Sequence, residues 1–370
     1  MRNGSSMEPS IARRLAALAF AVGVGLAACD NRATTQEPAS QSPAAASEPV
    51  ASPATPVDIQ DHSQHTMTPE QIAELRSKIP LYQEYSDEQI VANMQNMAPD
   101  YGEYLSGASV TGEIGILALG HGFRETGDAL FKSALDPIAD RYPTSVGLGM
   151  SMMDSGHIQT EVDKLVAAGA KTIVVVPVTM GADSSLVQQW DYIFGRGAES
   201  AYLDVPQVTT EADIVIAPTP TFSPIMSRIL RDFAVEISTE PANEVVIVIG
   251  HGPTEEEQNA QELAAMELHA AFIRGNSDLK DVRVATLQDD APRAIRAANV
   301  ERIRGWIEEA EGQGKTVLVI STLPTQGAVQ GRIKNDLAGL AYKGNMKGFV
   351  EHPAFVEWVE ETVRKEAGAT

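Results

Sequence analysis

Ile114-Gly115-Ile116-Leu117-Ala118-Leu119-Gly120-His121-Gly122 is a short apolar run ending in Gly-His-Gly, and Val245-Val246-Ile247-Val248-Ile249-Gly250-His251-Gly252 repeats it later in the chain. A continuous apolar segment of this length, bounded by Gly, is the pattern of a strand buried on both faces of a parallel sheet. Open α/β sheets take ligands at the carboxyl ends of their strands. A His at that tip, with no side chain on either neighbour, can be approached closely. Each copy therefore marks a strand and nominates a site, at His121 and at His251.

Outward from these runs the chain alternates strand and helix. The first half predicts strands over 114–119, 145–152 and 172–178 and at Ile214-Val215-Ile216-Ala217-Pro218. Helices fall over about 127–140 and 157–168, and a closing helix runs from Ser223-Pro224 to about Ile237. The second half predicts strands over 245–249, 282–287 and 316–320 and a short one near Leu340-Ala341-Tyr342. Its helices fall over 254–273 and 299–311, with a last one from His352-Pro353. Such alternation implies parallel sheets with right-handed crossovers. The halves match in order. Ala170-Lys171-Thr172-Ile173-Val174 pairs with Gly314-Lys315-Thr316-Val317-Leu318, Gly181-Ala182 with Gly327-Ala328, and Ser223-Pro224 with His352-Pro353. Several matches in one order indicate a duplicated α/β unit, with domains at 112–238 and 239–370.

The amino terminus reads as a processing signal over residues 1–28. Arg2, Arg13 and Arg14 form a basic start, and Leu15 to Ala28 is apolar but too short for the roughly 20 residues of a spanning helix. It ends in Leu26-Ala27-Ala28-Cys29, which is similar to the bacterial lipoprotein signal, where the Cys is lipidated and becomes residue one. The expectation is export, with a lipid anchor on Cys29 holding the protein to a membrane of the cell envelope. Cys29 is the sole cysteine, which excludes an intrachain disulfide and a thiolate metal cluster. Residues 29–60, rich in Ala, Pro, Ser, Thr and Gln, read as a disordered tether. The segment 61–111 opens with His62, His65 and Met67, either a soft-metal catch or a solvated linker. It then carries two short helices with capping boxes at Thr68-Pro69-Glu70-Gln71 and Ser86-Asp87-Glu88-Gln89, a collar for the main body.

The net charge is −22, with 43% hydrophobic and 21% charged residues. That balance is globular, and it excludes nucleic-acid or anionic-lipid binding through bulk charge. Gly312-Gln313-Gly314-Lys315-Thr316 is not a phosphate loop, because Glu309 stands where a Gly is needed and the order is helix then strand. Neither a dinucleotide fingerprint, a His-Glu-x-x-His helix nor a Gly-x-Ser-x-Gly elbow is present. What remains is the set of groups at the strand tips. In the first half these are His121, Arg124 and Glu125, then Asp154 and His157, then Thr179, Asp183, Ser184 and Ser185. Two imidazoles and a carboxylate suit a borderline divalent metal such as Co, Ni, Fe or Zn. His121 and His157 are placed to approach each other on one edge; the bland reading has His121 satisfied by backbone and His157 simply starting a helix. Around His251 stand Glu255, Glu256, Asp289, Asp290 and Gln330. His269, mid-helix, reads as structural, and His352 starts the last helix.

The strand ending in His121-Gly122-Phe123-Arg124 resembles the His-Gly-Ser-Arg-like motif of the class II chelatases, the sirohydrochlorin cobaltochelatases and ferrochelatases. The stretch Leu165-Val166-Ala167-Ala168-Gly169-Ala170-Lys171-Thr172-Ile173-Val174-Val175-Val176-Pro177 is also similar, and the likeness extends over about residues 112–370 in the long, two-domain form. The resemblance implies two tandem flavodoxin-like domains with parallel sheets and an active cleft between them. It implies a lyase that inserts a divalent metal, cobalt first and otherwise Fe2+, Ni2+ or Zn2+, into a sirohydrochlorin-type tetrapyrrole without ATP. His121 would be metal ligand and base, with Arg124 and Glu125 beside it in the catalytic set. The family's second metal His, in a Gly-rich loop after the third strand, has no counterpart in Met180-Gly181-Ala182-Asp183-Ser184-Ser185 or in Gly327-Ala328-Val329-Gln330-Gly331. His157 then substitutes with help from Asp183, and His251 completes the expected metal set. The alternative is a non-catalytic envelope lipoprotein that binds metal ion or tetrapyrrole.

Overall fold

The Thr68 side chain accepts a hydrogen bond from the Gln71 backbone and the Gln71 side chain accepts one from the Thr68 backbone, so the first capping box forms and starts α1 (Pro69–Lys78). Ser86 and Gln89 do the same ahead of α2 (Asp87–Gln95). These residues belong to a computed structural model that describes residues 67–95 and 101–368. Cys29, His62 and His65, with the signal and tether, lie outside the described residues. After β1 (Gly102–Tyr104) the first half runs β2 (Ile114–Leu119), α3 (Arg124–Ala134), α4 (Asp136–Ala139), β3 (Thr144–Gly147), α5 (Ser155–Ala167), β4 (Thr172–Pro177), α6 (Ser185–Ile193), β5 (Asp213–Ile216) and α7 (Pro224–Ile237). The second half runs β6 (Glu244–Gly250), α8 (Glu256–Gly275), β7 (Asp281–Thr286), α9 (Arg293–Gly312), β8 (Thr316–Ser321), α10 (Ala328–Asp336), β9 (Lys343–Asn345) and α11 (Ala354–Glu366).

The first sheet has the order β1-β3-β2-β4-β5 and the second β7-β6-β8-β9. All pairs are parallel except β1 with β3. Without β1 the two orders are the same, so the duplicated α/β architecture expected from the sequence is the one observed. Some details differ. The stretches after β4 and β8, read as loops, each begin a helix, because Ser184 caps α6 and Leu186, Trp190 and Ile193 fill one buried face of it. The last strand begins at Lys343, directly after the expected Leu340-Ala341-Tyr342. The edge strand β1 carries only three residues and owes its place to pairing with β3.

Side chains alternate across each central strand and so feed two cores. Ile116 and Ala118 of β2, Val174 and Val176 of β4, Val246 and Val248 of β6 and Leu318 and Ile320 of β8 share one cluster. A single core therefore runs between the two sheets. Leu117, Leu119, Ile173 and Val175 face the other way, into a second cluster with Leu75, Ile90, Met94 and Trp190. That contact makes the N-terminal helices a collar on the outer face of the first sheet. Val245, Ile247, Ile249, Val317 and Val319 pack outward with Ile303 and Ile307 of α9.

The closing helices exchange places. Helix α7, which ends the first half, packs on β8, β9 and α8. Helix α11, which ends the second, packs on β4 and α4. Chain order puts the boundary at residue 238; packing carries one helix across it in each direction, and Gln60–Thr370 forms one compact unit. His352 sits where the two helices meet, its Nε2 3.4 Å from Asp232 Oδ2 and its ring against Phe233. No helix among the described residues is long and apolar enough to cross a membrane.

Candidate functional site

In both sheets the chain reverses direction between the first strand and the third, which opens a crevice at their carboxyl ends. His121 directly follows β2 and Gly120, and His251 directly follows β6. Each loop then folds back tightly over the next strand's tip. Gly122 has φ +89° and Gly252 φ +79°, in the left-handed region where a side chain is strained. A Cβ on Gly122 would lie 2.7 Å from Gly149 Cα, and one on Gly252 2.6 Å from Thr286 Cβ. The second glycine of each Gly-His-Gly is thus required by backbone and by space. The turn also orients the imidazole. His121 Nδ1 lies 3.4 Å from Gly122 O, and His251 Nδ1 3.1 Å from Gly252 O. A carbonyl only accepts, so Nδ1 carries the proton and Nε2 is the working face.

The two imidazoles lie close enough for the charge of His251 to act on His121. His121 is open to solvent, yet protein surrounds it enough that desolvation is the largest influence on its pKa. The net shift is downward: Asp290 opposes desolvation, while His251 and Arg332 reinforce it. His251 is shifted the other way. Desolvation again acts most strongly and lowers it, but the carboxylates of Asp290, Asp289 and Glu262 together outweigh that and raise it. Asp290 Oδ2 stands 3.6 Å from His251 Nε2. The pair is therefore divided, with the proton affinity of His121 lowered and that of His251 raised.

A buried network holds the floor. Asp289, 2% exposed at its side chain, receives Arg296 Nε at 2.7 Å and Arg332 on its other oxygen. Arg296 is gripped in turn by Asp336 at 2.7 Å. Burial pushes the Asp289 carboxyl up, and His251, Arg332 and Arg296 more than reverse it. Glu262 is also buried, and its Oε1 finds no hydrogen-bond partner. Desolvation raises its pKa against the pull of His251 and the Gly252 N–H. The sequence reading missed Glu262. The signal was present: Asn259, Glu262 and His269 interrupt the stripe of α8 that Ala265, Met266 and Ile273 bury.

Arg124 and Glu125 start α3 and line a cavity of about 570 Å³ whose far wall is Gln326–Ala328 and Arg332. Asp183 lines a smaller cavity of about 40 Å³ with Thr221, Pro253 and Glu262, on the Glu262 side of His251. The expected approach of His157 to His121 is not what the packing produces. The His157 ring lies 4.6 Å from that of Tyr101 and its Nε2 3.6 Å from Asp154 Oδ2. Tyr101 belongs to the core on the outer face of the first sheet, so α5 directs His157 there. The histidine whose charge acts on His121 is His251, from the other half. Gln330 is buried, its amide spent on Gly327 N–H and Thr325 O. His269 pairs with Ser227 at 2.7 Å inside the core. Among the described residues no three His, Cys, Asp or Glu side chains are grouped to hold a metal ion together.

SirB from Bacillus subtilis, solved with Fe3+, superposes on 70% of this chain and 98% of its own, with a TM-score of 0.50 at 17% identity. The fold is chelatase-like. DR2241 from Deinococcus radiodurans, described as a multi-domain protein with structural similarity to chelatases, matches 68% of this chain and 55% of its own at TM-score 0.45 and 17% identity. A periplasmic solute-binding protein from Actinobacillus succinogenes with bound D-allose gives TM-score 0.31 at 11% identity, over 70% of this chain and 92% of its own. No family model and no curated protein sequence matches the chain. Within the chelatase-like fold, both Gly-His-Gly turns open on the crevice.

Proposed function

We propose that the protein inserts a divalent metal into a sirohydrochlorin-type tetrapyrrole, with cobalt, iron or nickel as the metal substrate. The observation that carries this reading is the pair of matching Gly-His-Gly turns at the ends of β2 and β6, each holding its imidazole by Nδ1 against the next carbonyl, with the two rings shifted in opposite directions. Insertion binds one M2+ and releases two pyrrole N–H protons. It therefore needs a ligand that gives the metal up and a base that takes protons. His121, neutral and with Nε2 free, supplies a lone pair to the metal. A site with fewer ligands than the three or four of a resident metal centre suits cargo that must leave again. His251, backed by Asp290 and Asp289, has the raised proton affinity of an acceptor, and the cleft opens to water that carries the proton away.

The test is to mix the full chain with metal-free sirohydrochlorin and Co2+, Fe2+ or Ni2+ under anaerobic conditions and follow the absorbance change on metallation. The expected result is a rate above the uncatalysed background that falls by roughly two orders of magnitude or more in His121→Ala. A rate equal to background with all three metals would remove the insertion reading. Tight macrocycle binding without turnover would assign the protein to the non-catalytic class.

A further inference from the structure

We propose that the N-terminal collar belongs to the site: Glu84 caps helix α9 from outside and thereby positions the loop that holds Asp289 and Asp290 at His251. Helix α9 begins without a cap of its own. Its N-cap residue is Pro292, whose ring has no oxygen to accept a hydrogen bond, and its first turn, Arg293-Ala294-Ile295-Arg296, holds no acidic residue. A helix of 20 residues therefore starts with orphan N–H groups and the positive end of its dipole unmatched from within. Glu84 matches both. It accepts the Arg293 N–H on Oε1 at 3.3 Å, and its Oε2 lies 3.5 Å from Arg293 Nε. The Arg293 guanidinium also covers the Tyr85 ring, 5.3 Å from its centre.

Helix α9 in turn holds the loop that joins it to β7. Asn299 donates to Leu287 O at 3.2 Å and to Gln288 Oε1 at 3.1 Å, and Arg296 Nε donates to Asp289 at 2.7 Å. Gln288 stands at φ +50°, a left-handed conformation that persists in an L-residue where its surroundings impose it. Two positions on is Asp290, 3.6 Å from His251 Nε2 with a side chain 54% exposed. Glu84 itself is fixed from the first half. Ile72, Leu75, Ile79 and Tyr82 anchor the collar in the core on the outer face of the first sheet. Arg76 Nε donates to Tyr82 O at 3.3 Å and Arg76 Nη2 to Tyr85 O at 3.1 Å, which braces the turn that presents Glu84. Tyr82 and Tyr202 lie within electrostatic reach of Asp290; burial first, and its charge next, raises both phenols. The loop beside His251 is thus held from the other half of the chain, whatever ligand the site takes.

The experiment uses neither metal nor macrocycle. It measures amide hydrogen exchange and, at one fixed pH, the imidazole C–H resonances of the full chain. The proteins are the wild type, Glu84→Ala, Glu84→Gln and Glu84→Ala combined with Pro292→Ser, with Asp290→Asn as the reference. The Glu84 side chain is 37% exposed, so its replacement leaves the core intact. The expected result in Glu84→Ala is exchange faster by about fivefold over residues 287–299, with the α1 amides unchanged. The His251 resonances should move toward their positions in Asp290→Asn. Glu84→Gln keeps an acceptor oxygen and loses the charge, so it should give a smaller change of the same sign. Pro292→Ser places a capping hydroxyl on α9 itself, and adding it to Glu84→Ala should recover both readouts. A collar that had merely lost packing would not be repaired that way. Wild-type exchange in Glu84→Ala overturns the proposal. Faster exchange with His251 unmoved also overturns it, since the cap would then hold α9 without reaching the site. So does a loosening that spreads to α1 and persists with Pro292→Ser.

Discussion

His121 and His251 have the same local backbone and oppositely shifted proton affinities because their neighbours differ. Burial acts on both, but only His251 has a carboxylate 3.6 Å from its free nitrogen. Asp290 raises both histidines, and at His251 the carboxylates of Asp289 and Glu262 add to it. His251 accepts a proton only when neutral, and its pKa is raised. Any step that needs it should gain rate as pH climbs through a value above the ordinary imidazole pKa of roughly 6.5. His121, shifted down, is already neutral there and does not set that limb. Asp290→Asn removes an influence that raises His251, so the acid limb should move to lower pH. Titrating the imidazole C–H resonances by NMR in wild type and Asp290→Asn checks the shift without relying on turnover. A His251 pKa that stays put or rises would disprove the assignment. Of the site residues, His121, Arg124 and Asp290 were legible in the sequence because they stand within a few positions of a strand end. Glu262 was not, because its importance comes from α8 turning that face toward His251.

At the level of elements, the two Gly-His-Gly loops work as sharp turns that aim a side chain. Gly122→Ala places a methyl group against the Gly149 backbone and forces an L-residue into the left-handed region. The strain alone costs roughly 1–2 kcal/mol, and the collision adds to it. A melting temperature lower by roughly 3 °C is the expected outcome if the total is about 2 kcal/mol, with a loss in the proposed metal insertion because His121 loses its aim. Thermal unfolding followed by circular dichroism measures it; an unchanged midpoint would mean that the turn relaxes without cost. The central strands were readable from their apolar runs, as were the caps of α1 and α2. Helices α6 and α10 escaped because short polar stretches after a strand read as loops until a buried face, such as Leu186, Trp190 and Ile193, is known to have a partner.

Across the whole molecule, the exchange of α7 and α11 joins the two halves into one cooperative body. Phe355, Trp358, Val359 and Val363 of α11 lie in the core shared with β2 and β4, and each such side chain gains roughly 1.5–3 kcal/mol from burial. Unfolding one half alone would strip the other of its closing helix. Urea unfolding should therefore give a single transition, with the same midpoint by far-UV circular dichroism and by tryptophan fluorescence, which reports Trp190 in the first half, Trp306 in the second and Trp358 in the shared core. Two separated midpoints would show independent lobes.

Local chemistry determined what the sequence alone could establish. Apolar runs of strand length, their duplication and the Gly-His-Gly tips specify two parallel α/β sheets with an imidazole at each switch point, because period, propensity and backbone sterics act over a few residues. Tertiary packing decided the rest. It set which histidine acts on His121, sent His157 to Tyr101, drew Asp289 and Asp290 under His251, and traded the closing helices. Those outcomes depend on which faces bury each other across more than a hundred residues. The Gly-His-Gly repeat is consequently two like turns with unlike surroundings, divided by the carboxylates that only the second half contributes.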